Sequence, residues 1–216
     1  FLTQQKLALA GILVTHHHWD HCHGVVELKQ HYDVPVYGSQ KEKTEGVTHH
    51  VQEGDQVELT DELILRVMDI PGHTLGHIAY YGPEMVFCGD TLFAAGCGRL
   101  FEGTAEQLYH SLQKLAALPA ETKVYCGHEY TLNNLRFAKA VEPTNQRIDA
   151  RMERVSALVS KQLPSLPSVM QEEKETNPFL RCDSTEVRKN VEKQAGKPLS
   201  DPVQVFAELR KWKDSF

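Results

Sequence analysis

The feature that most constrains this chain is a run of four histidines and one aspartate within seven positions, THHHWDH at residues 15–21. The run follows GILVT, an apolar stretch bounded by glycine that predicts a buried strand, and it precedes VVELKQHY, which has the apolar spacing of a short helix. We therefore expect a strand, a histidine-rich loop and a helix in succession. A catalytic metal site, a structural metal and a solvated polar turn all suit such a loop, and ligands elsewhere in the chain decide among them.

The spacing within the loop indicates how its side chains divide. Alternate side chains of an extended segment face the same way, so His16 and His18 project together while His17 points to the opposite side. Asp20 and His21 follow after the chain turns, which places a second pair of ligands close to the first. Because the loop offers two separate pairs, its spacing predicts two metal ions side by side.

Three further polar residues stand at the ends of predicted buried strands. His73 lies in PGHT after the strand that ends at Ile70, Asp90 lies in CGDT after VFC, and His128 lies in CGHE after KVYC. Each stands beside a glycine, where a tight backbone lets a side chain turn into a shared cleft. A lone histidine there is more often a satisfied core residue, and a lone aspartate is more often a cap. Three such positions together with the loop favour a metal centre.

Composition and charge exclude several classes of protein. The 216 residues are 41% apolar and 24% charged, which suits one large globular domain or two small ones. A net charge of −6 argues against nucleic acid as a partner, because phosphate binding relies on a basic surface. The longest apolar run, residues 7–14, is far shorter than the ~20 residues of a membrane-spanning helix. We expect a monomer with neither a nucleic-acid nor a membrane partner.

The number and spacing of the cysteines indicate the redox state of the compartment in which the protein works. The five cysteines are odd in number, widely spaced and without a CxxC pair, which suits reduced thiols in a cytosolic protein better than a disulfide framework. We therefore expect a cytoplasmic protein without disulfides. The chain opens on Phe1 and not on an initiator methionine, so a targeting segment before it is left open.

The pattern of predicted elements changes after His128. Before it, Thr104 and Gln107 form a capping box for a helix that runs to about Ala117, and short apolar runs predict strands at VPVYG, DQVEL, LILRVMDI, HIAYYG, MVFCGD and KVYCGH. After it, the stretch LPSLPSVMQEEKETNP is interpreted as a connection, and helices are predicted at about 131–141, 145–161, 184–195 and 202–213. This change predicts two domains, 1–130 and 131–216.

The motifs together resemble those of a known superfamily. T-H-x-H-x-D-H followed by GH, GDT and GHEY is similar to the metallo-β-lactamase superfamily, and GDTLFAAGCGRLFEGT and YCGHEYTLNNLRFA resemble hydroxyacylglutathione hydrolase, glyoxalase II. The resemblance implies an α/β fold, the αββα sandwich, with a C-terminal α-helical domain that binds glutathione. Relatives open with further strands, so we expect these N-terminal strands to be missing from a chain that begins within the first helix.

The resemblance also implies which residues hold the metals. One ion would be held by His16, His18 and His73, the other by Asp20, His21 and His128, and the two would be bridged by Asp90. Imidazole and carboxylate ligands without thiolate suit two Zn²⁺ per chain, with iron or manganese as alternatives.

The implied reaction is hydrolysis of the thioester S-D-lactoylglutathione, and of related 2-hydroxyacylglutathiones, to D-lactate and glutathione in methylglyoxal detoxification. A hydroxide shared by the two ions would attack the carbonyl, with Asp20 and Asp90 as the catalytic carboxylates. A thiolate of pKa near ~8.5 leaves with little need for a general acid. The sequence has no G-x-S-x-G elbow, which agrees with attack by hydroxide and not by a serine.

Four residues are candidates for contacts with the glutathionyl group. Arg210 and Lys213 are three apart on the last predicted helix and so share a face. Taken alone they favour a solvated basic helix end, but the resemblance implies that such a pair binds a glutathione carboxylate. By the same resemblance Arg99 in GCGR and Tyr130 in GHEY contact the glutathionyl group, while Phe101 replaces a tyrosine of some relatives.

Two alternative functions stay open at this point. A persulfide dioxygenase of the same superfamily would use a single iron with much the same histidines, and a truncated, catalytically inactive module would bind metal or glutathione without turnover. His77 in TLGH is expected to be structural or solvent-facing, as are His49 and His50.

Overall fold

The computed structural model describes all 216 residues, Phe1 to Phe216. The strands are β1 (Ile12–Leu13), β2 (Val36–Ser39), β3 (His49–Val51), β4 (Gln56–Thr60), β5 (Leu63–Asp69), β6 (Ile78–Tyr81), β7 (Met85–Gly89), β8 (Leu92–Phe93), β9 (Gly96–Cys97), β10 (Lys123–Cys126) and β11 (Ser168–Val169). The helices are α1 (Leu2–Gln5), α2 (Trp19–Cys22), α3 (Val25–His31), α4 (Ala105–Ala116), α5 (Thr131–Val141), α6 (Gln146–Ser160), α7 (Met170–Thr176), α8 (Thr185–Ala195) and α9 (Pro202–Asp214), with a 3-10 turn at Pro178–Leu180.

The strands form two sheets that face each other. Strands β1, β2 and β3 make a three-stranded parallel sheet, and the larger sheet has the order β11-β10-β7-β6-β5-β4. Within it β4 to β7 are antiparallel neighbours, and β10 runs parallel to β7. Val51 and Leu13 of the smaller sheet pack against Val57, Val67 and Tyr80 of the larger one in a single apolar cluster. Burial of these alternating apolar side chains joins the sheets into a sandwich.

Helices cover both outer faces of the sandwich. Val25 of α3 packs against Val36 of the smaller sheet, and Leu108 and Leu112 of α4 belong to the same buried cluster as Val86 of the larger sheet. A layer of helix therefore lies outside each sheet. The expected αββα sandwich is confirmed.

The C-terminal residues are helical, as expected, but they share structure with the sandwich. Strand β11 pairs antiparallel with β10, and Phe206 and Leu209 of α9 belong to the same buried cluster as Leu108 and Val86. Because the core runs across residue 130, the division into domains 1–130 and 131–216 stays a prediction.

The interpretation of residues 163–178 as a plain connection is wrong, because β11 and α7 lie within it. The two short strands β8 and β9 were also not predicted. Strands of two residues are too short to show a periodicity, and the polar sequence of α7 has no apolar run to mark it, so these elements form only where a partner is supplied by the fold. Here β10 supplies the partner of β11, and Arg151 pairs with Glu173 of α7.

Helix α4 begins as its sequence predicts. Thr104 Oγ1 accepts from Gln107 N–H at 3.1 Å, and Gln107 Oε1 accepts from Thr104 N–H at 2.9 Å, so the capping box is complete. The helix ends at Ala116, one residue before the expected end. None of the helices is both long enough and apolar enough to cross a membrane.

Candidate metal centre

The histidine-rich loop joins the smaller sheet to α2. His16 and His18 lie in the extended loop after β1, whereas Asp20 and His21 lie on α2. The predicted turn between the two ligand pairs is thus the start of a short helix. His17 is not part of these two pairs: its Nε2 lies 2.7 Å from Glu102 Oε1, and its ring stands edge-on to that of His18 with centroids 5.1 Å apart.

Three imidazoles converge into a first group. His16 Nε2 and His73 Nε2 lie 3.2 and 3.0 Å from His18 Nδ1, and the three ligand atoms are all within 4.8 Å of one another. His73 stands in the turn between β5 and β6, 55 positions away from His18. The strand ends therefore bring together the three residues that the resemblance assigns to one ion.

A second group lies beside the first. His21 Nε2 and His128 Nε2 are 3.1 Å apart, and Asp20 Oδ2 lies 3.6 and 3.3 Å from these two nitrogens. His128 follows β10, so its position depends on the parallel pairing of β10 with β7. These are the three residues that the resemblance assigns to the other ion.

Asp90 lies between the two groups. Its Oδ2 is 3.6 Å from His73 Nε2 of the first group and 3.4 Å from His128 Nε2 of the second. Its Oδ1 is 3.3 Å from His21 Nε2. The carboxylate therefore faces both groups, which is the position that a bridging ligand requires.

The donor set fits divalent cations. The ring nitrogens of each group approach to 3.0–3.2 Å, where the lone pairs of neutral rings repel unless a cation lies between them. Asp90 Oδ1 is buried and accepts no hydrogen bond, which is costly for a carboxylate oxygen that no ion neutralises. Imidazole and carboxylate donors without a thiolate suit Zn²⁺.

The electrostatics favour neutral rings at two residues of the first group, His16 and His73. Burial lowers the pKa of His16 far below its ordinary value, and the neighbouring histidines lower it further. Burial also lowers the pKa of His73, which its hydrogen bond to Arg99 O offsets only in part. For His21 burial acts in the same direction, but the carboxylates of Asp90 and Asp20 outweigh it and raise the pKa of the imidazole. Neutral rings at His16 and His73 keep the lone pairs that a cation needs.

Backbone and side-chain oxygens orient two of the rings. His73 Nδ1–H donates to Arg99 O at 2.8 Å, and His16 Nδ1 lies 3.1 Å from Thr15 Oγ1. In each ring the other nitrogen, Nε2, then faces the group. Hydrogen bonds of this kind fix the ring orientation of a metal-ligating histidine.

Gly127 is packed so closely that a methyl group would enter the cluster. A Cβ at this position would lie 2.4 Å from Asp90 Oδ1 and 2.6 Å from His21 Cε1. We expect Gly127→Ala to displace both side chains and to weaken zinc binding about tenfold or more, as measured by titration against a competing chelator. The control is Gly24→Ala, since a Cβ there meets nothing within 4 Å. Equal zinc affinity for the two variants would contradict the packing of ligands around Gly127.

The two groups form the floor of a cleft of about 750 Å³. Most of its wall is aromatic or cationic, and the wall residues are Trp19, Phe93, Phe101, Tyr130, Phe216, Arg99, Arg210 and Lys213, together with Cys97, Asn133, Asn134 and Asp214. All four residues expected to contact the glutathionyl group therefore line the same cleft as the metal-ligand candidates.

Arg210 on the last helix is buried. The prediction of a solvated basic helix end is therefore wrong for this residue. Its Nη1–H donates to Cys97 O at 2.9 Å, its Nη2–H donates to Asp214 Oδ1 at 3.0 Å, and its guanidinium lies 5.1 Å from the centre of the Phe179 ring. Lys213 is half-buried, with Nζ 5.0 Å from the Phe137 ring centre. Arg210 thus contributes both packing and positive charge to the wall of the cleft.

Tyr130 and Arg99 stand at the mouth of the cleft. The Tyr130 ring stacks on His128 with centroids 5.1 Å apart, so the tyrosine covers one side of the second group. Arg99 is exposed, with Nε 3.8 Å from Asp214 Oδ1. Both side chains are free to meet a ligand that reaches the metal-ligand candidates.

Two residues close to the cluster, Glu102 and His77, were not predicted from the sequence to take part in it. Glu102 accepts from His17 Nε2–H and, through Oε2, from Leu75 N–H at 2.8 Å, so it ties two ligand-bearing loops together. His77 was expected to be structural or solvent-facing, and it is fully buried against His16 and Asp90. Glu102 belongs to none of these motifs. His77 follows Gly76 and so shows the same GH pattern as His73 and His128, but it stands before β6 and not after a strand.

Comparisons with known proteins agree with this geometry. The family model described as the metallo-beta-lactamase superfamily matches residues 4–128, and the one described as hydroxyacylglutathione hydrolase C-terminus matches residues 129–216. A hydroxyacylglutathione hydrolase of Nitrosomonas europaea is 50% identical over 217 residues, covering 100% of this chain and 83% of the relative.

Two solved structures share the fold. The structure of ETHE1 from Myxococcus xanthus has a TM-score of 0.63 and 26% identity, covering 99% of this chain and 80% of the other. The structure of TTHA1623 in a di-iron-bound form has a TM-score of 0.55 and 25% identity, covering 83% and 81% of the two chains. With both family models matched and a full-length relative at 50% identity, the chain belongs to the hydroxyacylglutathione hydrolase family of the metallo-beta-lactamase superfamily.

Proposed function

We propose that the protein hydrolyses 2-hydroxyacylglutathione thioesters, S-D-lactoylglutathione first among them, to a 2-hydroxy acid and glutathione. The observation that carries this proposal is the position of Asp90 between two groups of imidazole and carboxylate ligands at the floor of a charged cleft. The name and 50% identity of the Nitrosomonas europaea relative support the same reaction. Relatives with this name do not favour the persulfide dioxygenase alternative or the inactive module.

Membership of the superfamily implies binding of divalent metal ions, and we assign two ions per chain to the cluster. The ligands would be His16, His18 and His73 for one, Asp20, His21 and His128 for the other, and Asp90 for both. Zinc suits these donors, with iron or manganese as alternatives, and the di-iron form of a relative at 25% identity supports a pair of ions. Bound in this way, two cations supply a nucleophile at neutral pH and polarise a carbonyl.

The chain's own residues orient the substrate and the entering water. Asp20, whose side chain is about half exposed, lines the cleft, so its carboxylate would accept a hydrogen bond from an entering water. Tyr130 stacks on His128 and so covers one side of the floor. The acyl C–S bond breaks while a C–O bond forms, and glutathione leaves as a thiolate with a pKa low enough to need no protein acid.

No cysteine of the cleft is suited to attack the thioester. Cys97 lines the cleft, but burial raises the pKa of its thiol to about 11 despite the nearby Arg210 guanidinium. A thiol with such a pKa stays protonated at neutral pH and is a poor nucleophile. The chemistry therefore belongs to the metal centre.

The cationic wall suits the carboxylates of glutathione. Arg99, Arg210 and Lys213 all line it in a chain whose net charge is −6, so the wall is a local site for anions. Asp214 neutralises part of this charge through Arg210 and Arg99. Lys213 is the cation of the wall that lies against aromatic rings and not against a carboxylate.

We expect Lys213→Met to raise KM for S-D-lactoylglutathione about tenfold with kcat little changed. The variant keeps most of the apolar stem over Phe137 and loses a charged hydrogen bond to the substrate, which contributes about 1.5 kcal/mol remote from the chemistry. Lys211→Met is the matched control, because Lys211 is exposed on the same helix and pairs with Glu208. A large fall in kcat with unchanged KM would contradict the assignment.

One experiment tests the function itself. The protein is loaded with zinc, its metal content is measured, and thiol release from S-D-lactoylglutathione is followed. Two ions per chain with turnover agree with the proposal. A single iron with oxygen consumption on glutathione persulfide would overturn it in favour of the dioxygenase, and full metal loading without turnover would favour the inactive module.

A further inference from the structure

His77 lies directly behind the metal-ligand candidates. The ring is fully buried at the start of β6, and both of its nitrogens have partners. Nδ1 lies 3.1 Å from Ile78 O, and Nε2 lies 3.1 Å from Asp90 N. The one side chain therefore contacts the backbone of the residue that faces both ligand groups.

The two partners leave one protonation state for the ring. Ile78 O is only an acceptor, so Nδ1 must carry the hydrogen and donate it. Asp90 N–H is only a donor, so Nε2 must offer its lone pair. His77 is thus a neutral imidazole of a single tautomer. Its Nε2 accepts a hydrogen bond from the Asp90 backbone N–H, which would otherwise be buried without a partner.

The same ring also supports the first ligand group. It stacks on His16 with centroids 4.5 Å apart and ring planes 16° from parallel. Gly89, with φ of 48°, brings the backbone before Asp90 so close that a Cβ there would lie 2.8 Å from His77 Cε1. The imidazole fills the space between the His16 ring and the turn that presents Asp90.

We propose that His77 is a positioning residue for the metal centre, which orients Asp90 by accepting a hydrogen bond from its backbone N–H. The proposal rests on the proposed function, since it takes Asp90 as a ligand. It goes beyond a packing role because Asp90 faces both groups, so a small rotation of its backbone moves one carboxylate relative to six other ligands. Loss of such a partner of a metal ligand typically weakens metal binding by about 10–100-fold.

A pair of amide substitutions separates the two hydrogen bonds of the ring. In His77→Asn the amide N–H takes the place of Nδ1–H and keeps the bond to Ile78 O, while the acceptor for Asp90 N–H is lost. In His77→Gln the longer side chain brings an amide oxygen to the place of Nε2, so Asp90 N–H keeps an acceptor. His110→Asn, at an exposed position of α4, controls for the substitution itself.

The measurements are zinc affinity by competition with a chelator, the visible spectrum of the Co²⁺-loaded protein, and the thermal midpoint of the metal-free protein. We expect zinc binding to be about 10–100-fold weaker in His77→Asn, with an altered Co²⁺ spectrum, and close to that of the unchanged protein in His77→Gln. A merely structural role would lower the thermal midpoint of both variants and leave affinity and spectrum unchanged in the folded protein, and that result would overturn the proposal.

Two further outcomes concern a variant that does not fold and a protein that binds no pair of ions. If His77→Asn does not fold, wild-type zinc affinity in His77→Gln supports the proposal and a tenfold loss there overturns it. If the unchanged protein itself binds no pair of ions, the proposed metal centre fails, which is a different result from a failure of the role of His77.

Discussion

Asp90→Ala is expected to reduce bound zinc from two ions to one or fewer per chain and to lower kcat/KM by about 100-fold or more. The side chain faces both ligand groups, with oxygens 3.3–3.6 Å from nitrogens of His21, His73 and His128. Its removal leaves each group with three ligands and nothing that joins them. Metal analysis and the thioester assay, performed on the same preparation, measure both effects.

The fold should survive this substitution. Asp90 Oδ1 has no hydrogen-bond partner within the protein, so its removal breaks no hydrogen bond of the fold at that oxygen. We therefore expect the thermal midpoint of the metal-free variant to stay near that of the unchanged protein. Asp149→Ala serves as the control, because Asp149 lies on α6 with its side chain about half exposed and pairs with Lys139. Unchanged metal content in the Asp90 variant would refute the bridging role.

Glu173→Ala should produce the largest loss of stability, about 3–5 kcal/mol in the free energy of unfolding. Glu173 is fully buried on α7, and its Oε1 accepts from Arg151 Nη2–H at 2.5 Å. Its Oε2 accepts from Ala95 N–H at 2.8 Å and from Asn177 Nδ2–H at 3.1 Å. The substitution leaves a buried guanidinium without its main counter-charge and a buried N–H without an acceptor.

Urea unfolding of the metal-free protein measures this loss. Glu172→Ala is the neighbouring control, since that carboxylate is partly exposed, pairs with Arg154 and also lies 3.1 Å from Arg151 Nε. Arg151 keeps Glu173 as its buried counter-charge in this variant, so we expect a cost of about 1 kcal/mol or less. The double variant Arg151→Met with Glu173→Met should regain much of the loss, because it removes both buried charges together. A single Glu173 variant as stable as the Glu172 control would show that the ion pair contributes little.

The residues of the metal centre could be predicted because their signals are local. The alternation of His16 and His18 and the turn before Asp20 follow from the geometry of an extended segment. Glycines beside His73, Asp90 and His128 mark strand ends where a side chain can turn inward. The structure brings these residues together, although the role of each as a ligand stays a proposal.

Other features escaped the sequence because they depend on contacts between distant residues. β11 exists because β10 offers it an edge, and α7 carries a glutamate whose partner lies 22 positions earlier. Arg210 carries the same charge as an exposed helix-end arginine, and only its packing under Cys97 and Phe179 makes it a wall of the cleft. Sequence pattern does not distinguish a buried arginine from a solvated one.

The sequence alone determined the chemistry of this protein: nitrogen and oxygen donors, in a spacing that suits two cations, that follow the strands of an α/β fold. Donor type and the alternation of side chains are properties of a few consecutive residues, so they can be read without the fold. The tertiary structure alone decided that His21 meets His128 across 107 positions, that His77 holds Asp90, and that the cations of the last helix face the cleft. These distances are set by strand pairing and core packing. Both depend on contacts between residues far apart in sequence, so they leave no local pattern.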